Sequence, residues 1–331
     1  MVISHHGGGW ITNIGNAFID MGSKYVFSKA LDGAHNHLSG SFGRFASARM
    51  RRGITDIISG KLATTENVFD SFSGADIDVF VRPGAILSRD WIELHGEAVE
   101  LAKKKGADII FHGVGLKKEA YRNGEVESIK RWLQKLNPLA FITRDEFTFE
   151  NLSSGLRNTY NGIDAGFFVS NAYEPLEYEE EVLALNFDKM SEPAPRDVLD
   201  KHDREYKNDI EIVRPHHTVW FPFKISEIYR MYKQYYFKEN IFFSDIPKEY
   251  IDIYSNSYIT FSDRVHACVL TLAYGGEARL FFDTDRSLLF DRVGLSSISD
   301  ELVSLSYEKI EKEKRKQIDF VESVLSEVVV N

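Results

Sequence analysis

The chain has 331 residues, with 40 Lys and Arg against 50 Asp and Glu for a net charge of −10, and 43% of it is hydrophobic. That composition excludes a disordered or fibrous polypeptide and fits a globular chain of about two domains. A sequence pI near 5.5 argues against nucleic acid as a partner, because neutralising a phosphate backbone needs a basic face. Cys268 is the one cysteine, which leaves no internal disulfide and no Cys-rich metal site and favours a reducing compartment. No 18-residue apolar run is present to span a membrane and no basic-then-apolar leader opens the sequence, so the expectation is a cytoplasmic, unanchored chain.

In chain order, His5-His6-Gly7-Gly8-Gly9 runs into a helix expected to begin near Asn13. Three glycines let a backbone approach a ligand closely. The spacing is neither GxGxxG nor a P-loop, so dinucleotide and nucleoside triphosphate are not expected. His35 and His37 lack a third ligand at any familiar metal spacing, and no metal or cofactor site is assigned, although a divalent ion is not excluded. Val79–Val81, Ile109–Phe111 and Ala140–Thr143 read as buried strands, interleaved with helical stretches at Trp91–Lys105 and Glu125–Lys135. That alternation predicts a parallel sheet covered by helices. Arg144-Asp145-Glu146 follows the third strand; Arg144 either projects into a cleft or pairs with Asp164.

The stretch 171–181, NAYEPLEYEEE, is acidic, contains proline and follows neither period. It places the domain boundary at 175/176, giving domains 1–175 and 176–331. Strands are then expected at Val182–Phe187, Ile210–Val213, Thr218–Phe221, Ile241–Phe243, Tyr258–Phe261 and Ala278–Phe282, with helices at Ile225–Tyr236 and Val265–Tyr274. Ser299–Val329 carries apolar residues at helical spacing and packs either within the second domain or across the first. The fold class is α/β: two Rossmann-like domains with mostly parallel sheets, facing a cleft at the carboxyl ends of their strands.

The sharpest constellation is Ser262-Asp263-Arg264-Val265-His266, between the strand YITF and the helix HACVLTLAYGG. A strand that opens into a helix offers free amides and a positive dipole end to an anion. Arg264 adds a planar fork for carboxylate or phosphate, and His266 adds a group that exchanges protons near neutral pH. The alternative is structural: a capped helix, a paired arginine and a buried histidine.

The segment SDRVHACVLTLAYGGEARLFF (262–282) resembles the carboxyl-terminal signature of the polysaccharide pyruvyl transferase family, a Ser-x-Arg-x-His run opening a small, apolar helix. GADIIFHGVGLKKEA (106–120), AFITRDEFTFENL (140–152) and NGIDAGF (161–167) resemble its glycine-containing strand end, its Arg-Asp-Glu turn and its later Asp. TNIGNAFIDMG (12–22) is similar to its amino-terminal Asn-x-Gly-Asp helix start, with Asn16 where the family has Asp. The resemblance covers nearly the whole chain in order and implies a glycosyltransferase-B-like fold.

It also implies a transferase that moves pyruvate from phosphoenolpyruvate to a saccharide as a ketal, releasing phosphate. On that reading Ser262, Arg264 and His266 bind the donor, Arg264 and His266 are catalytic, and His266 either protonates carbon 3 or, protonated, holds the departing phosphate. A second cation is expected, because one arginine is thin for phosphate plus carboxylate. The family's Arg near the start of the second domain is missing from LALNFDK (183–189), leaving Lys189 or Arg214, with His216 and His217 beside it, as substitutes. Gly8, Gly9, Asn13, Gly15, Asn16 and Arg144 are assigned to the acceptor, a saccharide carried on lipid or nucleotide, with any membrane association coming through that acceptor. The number of subunits is left open. The rival readings are a nucleotide-sugar glycosyltransferase of the same architecture and a non-catalytic glycan-binding homologue.

Overall fold

A computed structural model describes residues 1–7, 10, 13–31, 36–40, 77–201, 210–217, 238–282 and 284–329. The expected strand at 218–221, the expected helix at 225–236, and Gly8, Gly9 and His35 lie outside the described residues. The chain divides into two compact units. The first comprises Met1–Gly9, Ile19–Ala165 and Glu311–Asn331; the second comprises Trp10–Phe18 and Gly166–Ile310. The division is therefore not a single break at 175/176. The acidic stretch expected to link domains lies inside the second unit, where Asp252 accepts the Leu176 amide (3.0 Å) and Asn256 accepts the Tyr178 amide (2.8 Å).

In the first unit the strands are β1 (Val2–His6), β2 (Asn36–Gly40), β3 (Val79–Pro83), β4 (Ile86–Leu87), β5 (Asp108–Leu116), β6 (Ala140–Thr143) and β7 (Thr159–Asn161). They form a parallel sheet in the order β2-β1-β3-β5-β6-β7, with β4 also paired to β5. All four residues of β6 are buried, as a parallel strand covered on both faces requires. Of the helices α1 (Gly15–Ala30), α2 (Arg89–Lys104), α3 (Lys118–Arg122), α4 (Val126–Leu136) and α5 (Glu146–Leu152), α4 shows the sequence logic plainly. Ile129, Leu133 and Leu136 recur on one face and are buried, and Asn137 stops the helix at φ +47°, a left-handed conformation that Asn tolerates. Phe111 sits among Trp91, Trp132 and Phe141 at ring-centroid distances of 6.0–6.3 Å.

The second unit contains α6 (Val169–Ala172), β8 (Val182–Asn186), α7 (Pro195–Lys201), β9 (Glu211–Pro215), β10 (Ile241–Phe242), α8 (Pro247–Ser255), β11 (Ser257–Ser262), α9 (Val265–Ala273), β12 (Glu277–Leu280), α10 (Leu288–Arg292) and β13 (Val303–Ser304). Its sheet runs β10-β9-β8-β11-β12-β13, parallel except for the antiparallel β12/β13 edge. Residues Val265 to Leu272 of α9 are all buried, which is why that helix is apolar all round rather than on one stripe. The two sheets bear out the expected α/β class with mostly parallel strands.

The expected helix over 299–329 starts only at Tyr307, as α11 (Tyr307–Val329). Before it, Val303 pairs with Ala278 on the sheet edge, so this stretch hydrogen-bonds to a strand instead of to itself. Among the described residues no helix is long and apolar enough to cross a membrane.

From Glu311 onward α11 belongs to the first unit, and Gln317 anchors it there. Gln317 is fully buried; its Oε1 accepts the Ile163 amide at 2.7 Å and its Nε2 donates to His112 Nε2 at 2.9 Å. An amide nitrogen can only donate, so His112 Nε2 accepts and its Nδ1–H donates to Ser23 Oγ at 2.8 Å. Burial pushes the His112 imidazole down to about 4, with Asp164 opposing, so the ring is neutral as this pattern needs. Gly162 permits the approach: a Cβ there would lie 2.3 Å from Gln317 Oε1. Gln317→Leu leaves two buried groups without partners, at about 1–3 kcal/mol each. We expect urea unfolding to register a loss of about 2–5 kcal/mol; a change below about 0.5 kcal/mol would contradict this anchoring.

Candidate functional site

β8 and β11 are adjacent parallel strands at the centre of the second sheet, so their carboxyl ends lie side by side, the position where α/β sheets bind ligands. Two carboxylates organise the turns beyond these ends. Asp263, just past β11, accepts the backbone amides of Asp188 (3.1 Å), Lys189 (2.6 Å) and Met190 (3.0 Å), curling the chain after β8 around its side chain. Burial pushes the Asp263 carboxyl up while the three amides pull against it. Asp188 then reaches back, with Oδ2 accepting from Arg264 Nε at 2.6 Å and Oδ1 lying 2.7 Å from His216 Nδ1. Burial by itself would raise this carboxyl, but the His216 hydrogen bond and the Arg264 charge outweigh it and hold Asp188 well below the usual carboxylate range.

Beside this frame lies a small pocket, partly open to solvent, lined by Asn13, Lys189, His217, Asp263, Arg264, Val265, His266, Thr284 and Arg286. Arg264 is the N-cap of α9, so the first turn of that helix rises from the pocket wall. Lys189 places its ammonium 4.4 Å from the Phe282 ring centroid. Burial and the neighbouring Arg264 and Arg286 charges push Lys189 down, against the pull of Asp263 and Asp188. Lys189, Arg264 and Arg286 thus lie together on the lining of one pocket.

The start of α1 closes one side. Asn13 Oδ1 accepts the Gly15 amide at 3.2 Å, and the Ile14 amide donates to the His217 carbonyl at 2.9 Å. A Cβ on Gly15 would meet His266 Cβ at 3.1 Å, tighter than side chains pack without shifting. His217 shares a 2.7 Å hydrogen bond with the Tyr254 hydroxyl. Burial pushes its imidazole down to about 3, so it lines the pocket as a neutral ring.

The structure thus brings together Arg264, His266, Lys189 and His217 from the donor set. It sets Ser262 and Arg214 apart. Ser262 is fully buried, with its hydroxyl donating to the Asn186 carbonyl (3.0 Å) and accepting the Arg264 amide (2.8 Å); it fixes the turn and does not line the pocket. Arg214 places Nε and Nη2 on Glu192 (3.1 and 3.0 Å) and Nη1 on the Glu239 carbonyl (2.8 Å). Its fork is occupied by an intramolecular carboxylate, which removes it as the second cation.

The acceptor set is redistributed too. Asn13 lines the pocket of the second unit, and Gly15 packs against His266 there rather than in the first domain. Asn16, half-buried, comes next in the first turn of α1 and does not line the pocket. Arg144 belongs to the first unit, where Nη1 meets Asp164 Oδ2 at 3.0 Å with side-chain exposures of 2% and 0%. The structural alternative for Arg144 is the one found, since a buried guanidinium needs a paired anion. Sequence reading missed Asp188, Thr284 and Arg286. Arg286 lies in the polar stretch TDRS (284–287) after β12, and position past a strand end was the one signal that pointed to it. Among the described residues no His, Cys, Asp and Glu group is arranged to hold a metal ion.

No curated protein matches the sequence. Among solved structures, a putative UDP-N-acetylglucosamine 2-epimerase from Listeria monocytogenes is similar over 97% of this chain and 90% of its own, at 12% identity and a TM-score of 0.52. The UDP-GlcNAc 2-epimerase from Neisseria meningitidis, bound to UDP-GlcNAc, matches over 100% of both chains at 11% identity and a TM-score of 0.52. The enzyme of that name from Methanocaldococcus jannaschii, in complex with UDP-GlcNAc and UDP, does so at 12% identity and a TM-score of 0.50. At such identities the likeness speaks to fold alone, that of two Rossmann-like units of glycosyltransferase-B-like type. The sequence profile of the polysaccharide pyruvyl transferases matches residues 16–281, most of the chain including the pocket's Arg264 and His266, and this protein belongs to the polysaccharide pyruvyl transferase family.

Proposed function

We propose that the pocket of the second unit binds phosphoenolpyruvate and that the protein transfers its pyruvyl group to a saccharide as a ketal, releasing inorganic phosphate. The observation that carries this reading is the convergence of Lys189, Arg264 and Arg286 with His266 on one small pocket at the ends of β8, β11 and β12. Phosphoenolpyruvate has a carboxylate and a phosphate a few bonds apart, and desolvating both requires fixed positive charge on more than one side. A guanidinium suits either group through paired donors. Of the two substitutes expected for a second cation, Lys189 lines the pocket and Arg214 does not, and Arg286 lines it as well.

In the reaction the acceptor oxygen bonds to carbon 2 while carbon 3 gains a proton, and the bond from carbon 2 to the phosphate oxygen then breaks. Arg264 is held by Asp188 through Nε, so its orientation toward the donor is set before binding, and fixed donors of this kind lose no free energy to reorganisation during the reaction. His266, in the first turn of α9, stands where it can hold the phosphate or move a proton.

The reading is tested by calorimetry with phosphoenolpyruvate and by phosphate release in the presence of a panel of methyl hexopyranosides. Nucleotide release from a sugar nucleotide, with no response to phosphoenolpyruvate, would replace it with a glycosyltransferase; the absence of binding at millimolar donor would replace it with a non-catalytic role. Arg264→Lys and Arg286→Met are each expected to weaken kcat/KM about 10–100-fold, the worth of a charge-assisted hydrogen bond of about 1.5–3 kcal/mol. Full activity in both variants would remove the pocket from the reaction.

Asp188→Asn breaks a buried charge pair and is expected to cost about 3–5 kcal/mol of stability at neutral pH. Because the folded carboxyl sits below its unfolded value of about 3.9, its contribution is complete above that pH and fades as the pH falls beneath it. The gap between wild-type and variant denaturation midpoints should therefore narrow below about pH 4; a gap independent of pH would show that Asp188 carries no charge in the fold.

A further inference from the structure

Among the described residues three cations line the pocket, and two of them are guanidiniums that do not give up a proton in any physiological range. The third is an amine. Lys189 is fixed at its backbone, where its amide donates to Asp263 Oδ2 at 2.6 Å, and at its tip, where the ammonium rests against the Phe282 ring. We infer, resting on the pyruvyl-transfer reading above, that Lys189 is the catalytic acid that protonates carbon 3 of phosphoenolpyruvate, while Arg264 and Arg286 hold its anionic groups and His266 attends the departing phosphate.

The charged and titratable groups around the amine come from every element at the pocket. Asp188 lies beside it after β8, Asp263 and Arg264 lie between β11 and α9, His266 stands in the first turn of α9, Arg286 follows β12, and His217 follows β9. Partial desolvation and the two guanidiniums make this ammonium more acidic than an isolated lysine, in the direction that suits proton transfer near neutrality. The step balances without any further reagent. The acceptor oxygen bonds to carbon 2, the electron pair of the double bond takes a proton from Nζ to form the new C–H bond, and the hydroxyl proton passes to solvent, from which the amine is reprotonated. A second acceptor hydroxyl then bonds to carbon 2 as the bond to phosphate oxygen breaks, and that pair and the hydroxyl proton leave with phosphate.

The test uses the full chain with phosphoenolpyruvate and the methyl hexopyranoside panel. Lys189→Arg keeps the positive charge but not the acid. It is expected to bind phosphoenolpyruvate within about threefold of wild type, to lose about 10²–10⁴-fold in kcat, and to lose the fall in kcat that wild type shows as rising pH deprotonates the amine. Lys189→Cys should be equally slow, and treating it with bromoethylamine should restore at least about a tenth of the rate, with the alkaline fall moved to lower pH because the new thioether makes the ammonium more acidic. Cys268 is buried and out of the reagent's reach. If Lys189→Arg keeps kcat within about threefold, or the rescued protein shows the wild-type pH profile, the proton comes from elsewhere. A wild type that binds no phosphoenolpyruvate, or releases no phosphate with any hexoside, defeats the pyruvyl-transfer reading and this inference together.

Discussion

The second unit depends on two aspartates that face each other across the ends of β8 and β11. Asp263 gathers three consecutive amides of the turn after β8, and Asp188, positioned by that turn, grips Arg264 from the turn after β11. Each strand end is thus built with the other's side chain, so neither turn has a defined shape alone. Buried carboxylates are costly unless their lone pairs are filled, and here the amides, Arg264 and His216 fill them. The result is a hydrogen-bonded frame that fixes Arg264 at the pocket wall.

Charge accounts for much of the site's character. Lys189, Arg264 and Arg286 repel one another across a partly buried space, and Asp188 and Asp263 offset that repulsion from behind. Asp188 pairs with Arg264, and Asp263 lines the pocket beside the cations. The buried His217 does not add to the positive charge, because it is a neutral ring against Tyr254, while His216 hydrogen-bonds Asp188.

Much of this was legible in the residues. The apolar runs around Phe80, Phe111 and Phe141 and the recurrence of Ile129, Leu133 and Leu136 give a parallel sheet with helices, because burial on both faces leaves that pattern. The run from Ser262 to His266 announced a strand end meeting a helix. Side-chain partners were legible only in part. The pairing of Arg144 with Asp164 was one of two sequence readings, whereas Arg214 looks as available as Arg264 in one dimension, and only packing reveals that Glu192 already occupies it. Arg286 and Asp188 went unseen because loop residues brought together by adjacent strands share no spacing along the chain. The membership of 10–18 and 311–331 was hidden for the same reason, since helical periodicity says which face of a helix is apolar and not which sheet receives it.

That exchanged membership has a consequence for dissecting the protein. A gene cut at 175/176 would yield an amino-terminal fragment lacking Gln317, with Ile163 and His112 bare where the last helix should dock. The complementary fragment would lack Asn13 and Gly15, and so the wall against which His266 rests. Neither half carries its own complete set of parts, and the natural unit of expression, evolution and engineering here is the undivided polypeptide.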